Sequence, residues 1–353
     1  MAFLLYGATG YTGGLIARQA ISLGMRPTLG GRSPAELSRL AGELSLPFRV
    51  AAVDDSAALD SMIDGHSMVL NCAGPFSRTA NAVAAACLRR RAHYLDITGE
   101  MAVFESMAAR DAGAKQAGVM LLPGVGFDVV PSDCLAAHVA RRLPSATRIQ
   151  IAIQTSGGIS RGTALTAIEG FAAGKGAGAV RKGGRITRVS GAWKTRLVDF
   201  GRGPVPATTM PWGDVSTAYH STGIPDIEVY MTIPPMLRHL MVHGRLLLPL
   251  AASGPVRRWL ERRVRRGAPG PDATQRARGR SRFWAEASDD GGRTVRSRLT
   301  GPESYELTVG TALECVSRVL RGDVKPGFQT PSRAYGPDFI LGIGGVLRED
   351  LPG

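Results

Sequence analysis

The feature that most constrains this chain is a glycine turn close to its start. Gly7-Ala8-Thr9-Gly10-Tyr11-Thr12-Gly13 lies between an apolar run, Phe3–Tyr6, and an amphipathic stretch, Leu15–Leu23. The apolar run predicts a short buried strand. Leu15, Ile16, Ala20 and Leu23 predict one face of a helix. Strand, glycine turn and helix, in that order, present backbone N–H groups to a phosphate at the helix N-terminus. The spacing alone is weak evidence, and its position between a strand and a helix strengthens it. Gly7, Thr9, Gly10, Tyr11, Thr12 and Gly13 are therefore the first candidate contacts of a dinucleotide. A tight connection with no ligand is the alternative.

The pattern that follows supports a ligand. Short apolar runs alternate with helical stretches: a strand ending at Gly30-Gly31-Arg32-Ser33, a helix Pro34–Leu44, and a third strand ending at Asp54. A short helix Ala57–Ile63 and a fourth strand stopping at Gly74-Pro75 come next, then a helix Thr79–Arg91. A fifth strand within "AHYLDITGE", a helix Ala102–Ala117, a sixth strand within "GVMLLPGVGFD" and a helix from Pro131 to Leu143 complete the series. This alternation predicts an α/β fold, a doubly wound parallel sheet with helices on both faces and ligands at the carboxyl ends of its strands. Beyond residue 145 the rhythm changes to strands, a basic helical segment Pro235–Arg266, a hairpin turning at "DDGG" and a helix Tyr305–Leu320. A helix Ser160–Ala173, a glycine-rich loop Lys175–Gly184 and a mobile loop Gly267–Gly279 are also expected. The expected domains are 1–145, binding the dinucleotide, and 146–353, an α+β substrate or oligomerisation domain whose last segment is free to pack back on the first.

Composition narrows the class. The chain's 353 residues allow two domains with sizeable cores. No run of about 18 uncharged apolar residues occurs and no leader pattern precedes the turn, so a cytoplasmic protein is expected, with a peripheral membrane contact left open. Cys72, Cys87, Cys134 and Cys315 are scattered, and neither they nor the histidines have metal-ligand spacing. The net charge of +14 is uneven: residues 253–300 hold thirteen arginines against five acidic residues. Such a patch points to an anionic partner. With few aromatics and no recognised motif, nucleic acid is not that partner.

The end of the second strand discriminates between dinucleotides. A site for an unphosphorylated ribose places a carboxylate there; this chain places Arg32 and Ser33, which suit a 2′-phosphate and favour NADP(H). Asp54 is either an adenine contact or a helix cap. Asn71, Ala73, Gly74, Pro75 and Phe76 bring the backbone close to the cofactor, and Gly99 and Phe127 flank its nicotinamide end. Hydride delivery leaves negative charge that needs a proton. Asp128 is the first candidate donor, with a brace for the turn as the competing role, and Tyr94 is the reserve. Asp96 reads as structural, and Asp133 as a cap or brace of the following helix.

"YGATGYTG", "GGRS", "NCAGPF", "YLDITGE", "PGVGFDVVPSD" and the closing "PGFQTPSRAYGPDFI" together resemble the saccharopine dehydrogenase-like oxidoreductases, which include trans-acting enoyl reductases. The resemblance implies a Rossmann domain, a C-terminal α+β domain and NADP(H). It leaves the substrate open. A C=C, C=O or C=N bond of a hydrophobic or carrier-linked substrate is expected, with a non-catalytic NADP-binding adaptor as the alternative. The segment 235–266 carries apolar stripes, including Val256, Trp259, Leu260 and Val264, opposed by six arginines between 257 and 266. An anionic membrane, a cover for a greasy cleft that receives an acyl carrier's chain, and a core-packed helix are its three readings. A homodimer also stays open.

Overall fold

The computed structural model describes residues 3–352 apart from 157, 159, 163, 166–177, 235–237 and 239–253. Most of the helix expected at 160–173 and most of 235–253, with His239 and His243, therefore lie outside the described residues. The chain forms two compact units, residues 1–130 with 305–334 and residues 131–304 with 335–353. The expected boundary at 145 falls inside the second.

The first unit holds a seven-stranded sheet: β1 (Leu4–Tyr6), β2 (Thr28–Gly31), β3 (Phe48–Val50), β4 (Met68–Asn71), β5 (His93–Asp96), β6 (Met120–Leu122) and β15 (Gly327–Phe328). Their spatial order is β15-β6-β5-β4-β1-β2-β3 and every pairing is parallel. The order reverses between β1 and β4, which makes their carboxyl ends the ligand crevice of this fold. All of β1 is buried, as a central strand covered on both faces must be. Helices α1 (Tyr11–Ser22), α2 (Pro34–Leu44), α3 (Ser56–Ile63) and α4 (Phe76–Arg90) alternate with the strands. On α4, Ala80, Val83, Ala84 and Cys87 recur at helical spacing and are buried in one core cluster with Leu4, Tyr6, Val69 and Tyr94. The single helix expected at 102–117 is two, α5 (Met101–Ala108) and α6 (Asp111–Ala117). The seventh strand comes from far along the chain: the Phe328 N–H donates to Asp111 Oδ1 at 2.8 Å, and Gly327 pairs with Met120.

The second unit opens with α7 (Val130–Arg142) and holds a nine-stranded sheet. Strands β7 (Arg148–Ser156), β10 (Thr195–Asp199), β11 (Pro204–Thr209), β12 (Asp226–Met231), β13 (Arg280–Ser288), β14 (Thr294–Pro302) and β16 (Leu347–Leu351) run in the order β10-β11-β12-β7-β13-β14-β16. Only β7 and β12 pair in parallel along that path. The glycine-rich loop expected at 175–184 instead contributes β8 (Gly178–Lys182), which forms a hairpin with β9 (Arg185–Val189) through Gly183 and Gly184, both at positive φ. Helices α8 (Asp214–Thr222) and α9 (Gly254–Arg266) complete this part. The loop expected at 267–279 contains α10 (Ala273–Arg278), started by a capping box between Asp272 and Gln275. Among the described residues no helix is long and apolar enough to cross a membrane.

Candidate functional site at the strand ends of the first unit

The β1–α1 turn owes its shape to absent side chains. Gly7 has φ +82°, and a Cβ there would stand 2.6 Å from the Ala73 nitrogen. A Cβ on Gly13 would stand 2.3 Å from the Gly7 carbonyl oxygen. These glycines let α1 and the β4 end close on the turn. Gly10 and Gly74 serve differently. Both are exposed, and a Cβ on either would meet only one neighbouring atom, at 3.3 and 3.9 Å respectively. Backbone is thus open to a pyrophosphate at the N-cap of α1, where Gly10 has no side chain to satisfy the first amides. Thr9 is exposed and Tyr11 and Thr12 are half-buried at the same helix start. Tyr11 packs edge-on against Tyr305, ring centroids 4.9 Å apart.

The end of β2 carries no carboxylate. Arg32 is exposed, and Ser33 occupies the N-cap of α2 while its hydroxyl makes no capping bond. Arg32 and Asp54 both act on Tyr6. Burial raises the Tyr6 pKa, the nearby guanidinium lowers it and the Asp54 carboxylate raises it. Arg32 and Asp54 therefore share one corner. The cap of α3 is Asp55, which accepts from the Ala58 N–H at 2.9 Å, so the capping role left open for Asp54 belongs to its neighbour.

At the ends of β4, β5 and β6 the polar groups are tied into one network. Asn71, fully buried, accepts from the Ala73 N–H at 2.9 Å and donates to the Tyr94 hydroxyl at 3.3 Å. Tyr94 donates to Asp96 Oδ2 at 2.6 Å. Asp96 Oδ1 accepts from the Thr98 and Gly124 N–H groups, each at 2.9 Å. Burial pushes the Asp96 carboxyl up to about 6 even though these bonds pull it down. The Tyr94 hydroxyl is fully buried, and burial with the adjacent Asp96 raises its pKa well above the phenol range. Tyr94 is thus a brace of the sheet end and is not brought to the surface where Thr9, Gly10 and Gly74 lie. Asn71, Gly13 and Phe127 are likewise buried, and they shape the site from beneath.

Glu100 has a role that sequence reading missed. Its carboxylate accepts from the Phe76 and Ser77 N–H groups at 2.8 and 3.2 Å, across the N-terminus of α4. That helix start is already neutralised, which leaves α1 as the open anion-binding terminus of the pair. The glutamate is visible in "YLDITGE", but its partners lie 24 residues earlier, and no local pattern reveals them.

Asp128 lies beyond β6 in the turn Gly124–Asp128. It is half-buried, and its side chain lies so close to Gly99 that a Cβ there would be 2.9 Å from Oδ2. Burial pushes its carboxyl up to about 7. The turn is held from below by α11 (Ser304–Leu320): Thr308 Oγ1 accepts from the Phe127 N–H at 3.1 Å, and Thr311 Oγ1 donates to the Val125 carbonyl at 2.8 Å. The Gly124 N–H bond to Asp96 ties its other end to β5. In the second unit, Asp133 is buried and accepts from the Ser221 hydroxyl of α8, as a brace.

Residues 3–122 match the family model of the saccharopine dehydrogenase NADP binding domain. A trans-acting enoyl reductase of Mycobacterium ulcerans is 32% identical over 147 residues, a match spanning 39% of this chain and 35% of that protein. A probable mitochondrial saccharopine dehydrogenase-like oxidoreductase of Arabidopsis thaliana is 28% identical over 147 residues, 37% of this chain and 32% of that one. The chain thus aligns with about a third of the length of these relatives. Over its whole length it shares the fold of saccharopine dehydrogenase (L-Glu forming) from Saccharomyces cerevisiae: TM-score 0.67, 99% of this chain and 100% of the other covered, at 12% identity.

Proposed function

The N-terminal domain of this chain belongs to the saccharopine dehydrogenase NADP-binding family, and from that premise we propose that the chain is an NADPH-dependent oxidoreductase. It reduces a C=C, C=O or C=N bond of a hydrophobic or carrier-linked substrate. The observation that carries this reading is Asp128, in the turn beyond β6 and beside Gly99, at the same carboxyl end of the sheet as the glycine turn, where burial pushes its carboxyl up to about 7. Likeness to the trans-acting enoyl reductases favours a C=C bond among the three.

Bound NADPH supplies the hydride. The protein's own groups do the rest. The first amides of α1 would hold the pyrophosphate, and Arg32 with the Ser33 hydroxyl, which makes no capping bond, would hold the 2′-phosphate. Protonated Asp128 gives its proton to the atom that reduction leaves negative. The Asp96 network and α11 keep that turn in place.

Titrating NADPH and NADH against the wild type and Arg32→Ala tests the cofactor assignment. The wild type should prefer NADPH, and the variant should lose about tenfold to a hundredfold in NADPH affinity, the worth of hydrogen bonds between charged groups. Equal affinity of the wild type for the two cofactors would refute it. NADPH oxidation with matched enoyl, keto and imine acyl compounds then identifies the bond reduced, and no oxidation with any of them would count against the enzyme reading.

A further inference from the structure

Helix α9 carries the densest run of arginines in the basic stretch. Further along, Arg293, Arg296 and Arg298 are held by Asp289, Glu286 and Glu349, while Arg276, Arg280 and Arg282 bond to carbonyl oxygens. On α9, Arg258, Arg262, Arg263 and Arg266 are all exposed. Arg258, Arg262 and Arg266 recur every four residues and form one stripe along the helix. Beside that stripe lie Val256, 37% exposed, and Trp259, 60% exposed. Leu260 is only half-buried. A helix packed into a core would hide its tryptophan, so the core-packed reading fails at Trp259.

We propose that α9 is a docking helix for an anionic lipid surface. A tryptophan ring belongs at the headgroup level, where its apolar body and its N–H are both accommodated. Arginines flanking it meet lipid phosphates and carboxylates. The described part of the helix, Gly254–Arg266, carries charge along its length and suits a contact lying along the surface. Arginines recurring along one helix with exposed apolar side chains among them are complementary to an anionic bilayer surface, and the vesicle test below separates this occupant from an acidic protein. The proposal is independent of the chemistry assigned to the first unit.

The test is flotation of the full chain with vesicles of phosphatidylcholine alone and of phosphatidylcholine with phosphatidylserine. Binding should require the anionic lipid and fall as salt is raised. Replacing Arg258, Arg262, Arg263 and Arg266 together by Gln should weaken it by roughly fivefold per arginine. Trp259→Ser should weaken it at unchanged charge, and it should remove the blue shift of tryptophan fluorescence seen when vesicles are added to the wild type. Thermal unfolding, measured in parallel, should be the same in all variants and confirms that they are folded. Equal binding to neutral vesicles, or anionic binding undisturbed in both variants, would overturn the proposal. So would a wild type that floats with neither vesicle.

Discussion

Asp96 and Asp128 are two carboxyls on neighbouring strand ends, and their surroundings give them different work. Asp96 accepts three hydrogen bonds and settles at about 6, while Asp128 is pushed up to about 7 by burial. A group that titrates near neutrality is suited to proton transfer. If Asp128 is the donor, its protonated form is the active one, and hydride transfer should fall as pH rises through about 7. Asp128→Asn should lose about 10²–10⁴-fold in single-turnover hydride transfer and flatten that limb, with NADPH affinity retained. Stability gives a second readout. A carboxyl with a raised folded pKa favours the folded state below its unfolded pKa, near 4, and that contribution is lost as pH rises to about 7. Relative to wild type, the Asn variant should therefore gain roughly 1–3 kcal/mol across that window, after allowance for partial exposure. A difference that stays flat with pH, together with undiminished hydride transfer, would remove Asp128 from the chemistry.

At the scale of elements, the ends of β4, β5 and β6 are locked by the chain Asn71–Tyr94–Asp96–Gly124. Tyr94→Phe removes the central hydroxyl and leaves Asp96 Oδ2 and Asn71 Nδ2 short of a partner in a buried site. Urea unfolding should show a loss of about 1–3 kcal/mol, while hydride transfer at saturating NADPH stays near the wild-type rate. The reverse result, unchanged stability with a rate loss of about 10²–10⁴-fold, would restore Tyr94 as the proton donor. The same elements show what the sequence makes legible. β1 and β4 are wholly buried, mainly apolar runs, and α4 has its apolar positions at helical spacing, so local pattern suffices to find them. β15 is two residues long and exists only because β6 offers an edge from more than 200 positions away. β8 is hidden by the glycines of its hairpin, and β11 by its prolines. α10 did carry a signal, Asp272 followed three residues later by Gln275, inside a stretch whose Gly, Pro and Arg content suggests a loop. At the site, the glycines and Arg32 are legible because their roles are local. Glu100 and Thr308 act on amides 24 and 181 residues away, beyond any pattern of spacing.

At the scale of the whole molecule, the cofactor-binding unit is discontinuous. Residues 305–334 return to it after the chain has built the second sheet. They complete the β6 edge with β15, and α11 supports the Asp128 turn through Thr308 and Thr311. Leu307, Leu313, Val316 and Phe328 are all nearly fully buried. Burial of each such side chain stabilises by roughly 1.5–3 kcal/mol, so losing the segment removes an amount comparable with the whole stability of a domain, about 5–15 kcal/mol. A fragment of residues 1–145 should therefore be expressed without a cooperative unfolding transition and without measurable NADPH affinity, although it contains every candidate cofactor contact from Gly7 to Phe127. Joining residues 1–130 to residues 305–334 through a flexible linker restores the seventh strand and the support of the turn. Cooperative unfolding and NADPH binding should return with it, because the crevice between β1 and β4 depends on a sheet whose far edge is closed. The comparison is made by thermal unfolding and NADPH titration of the two fragments beside the full chain. Full-strength NADPH binding by residues 1–145 alone would mean that the returning segment serves only the Asp128 turn and not the integrity of the unit.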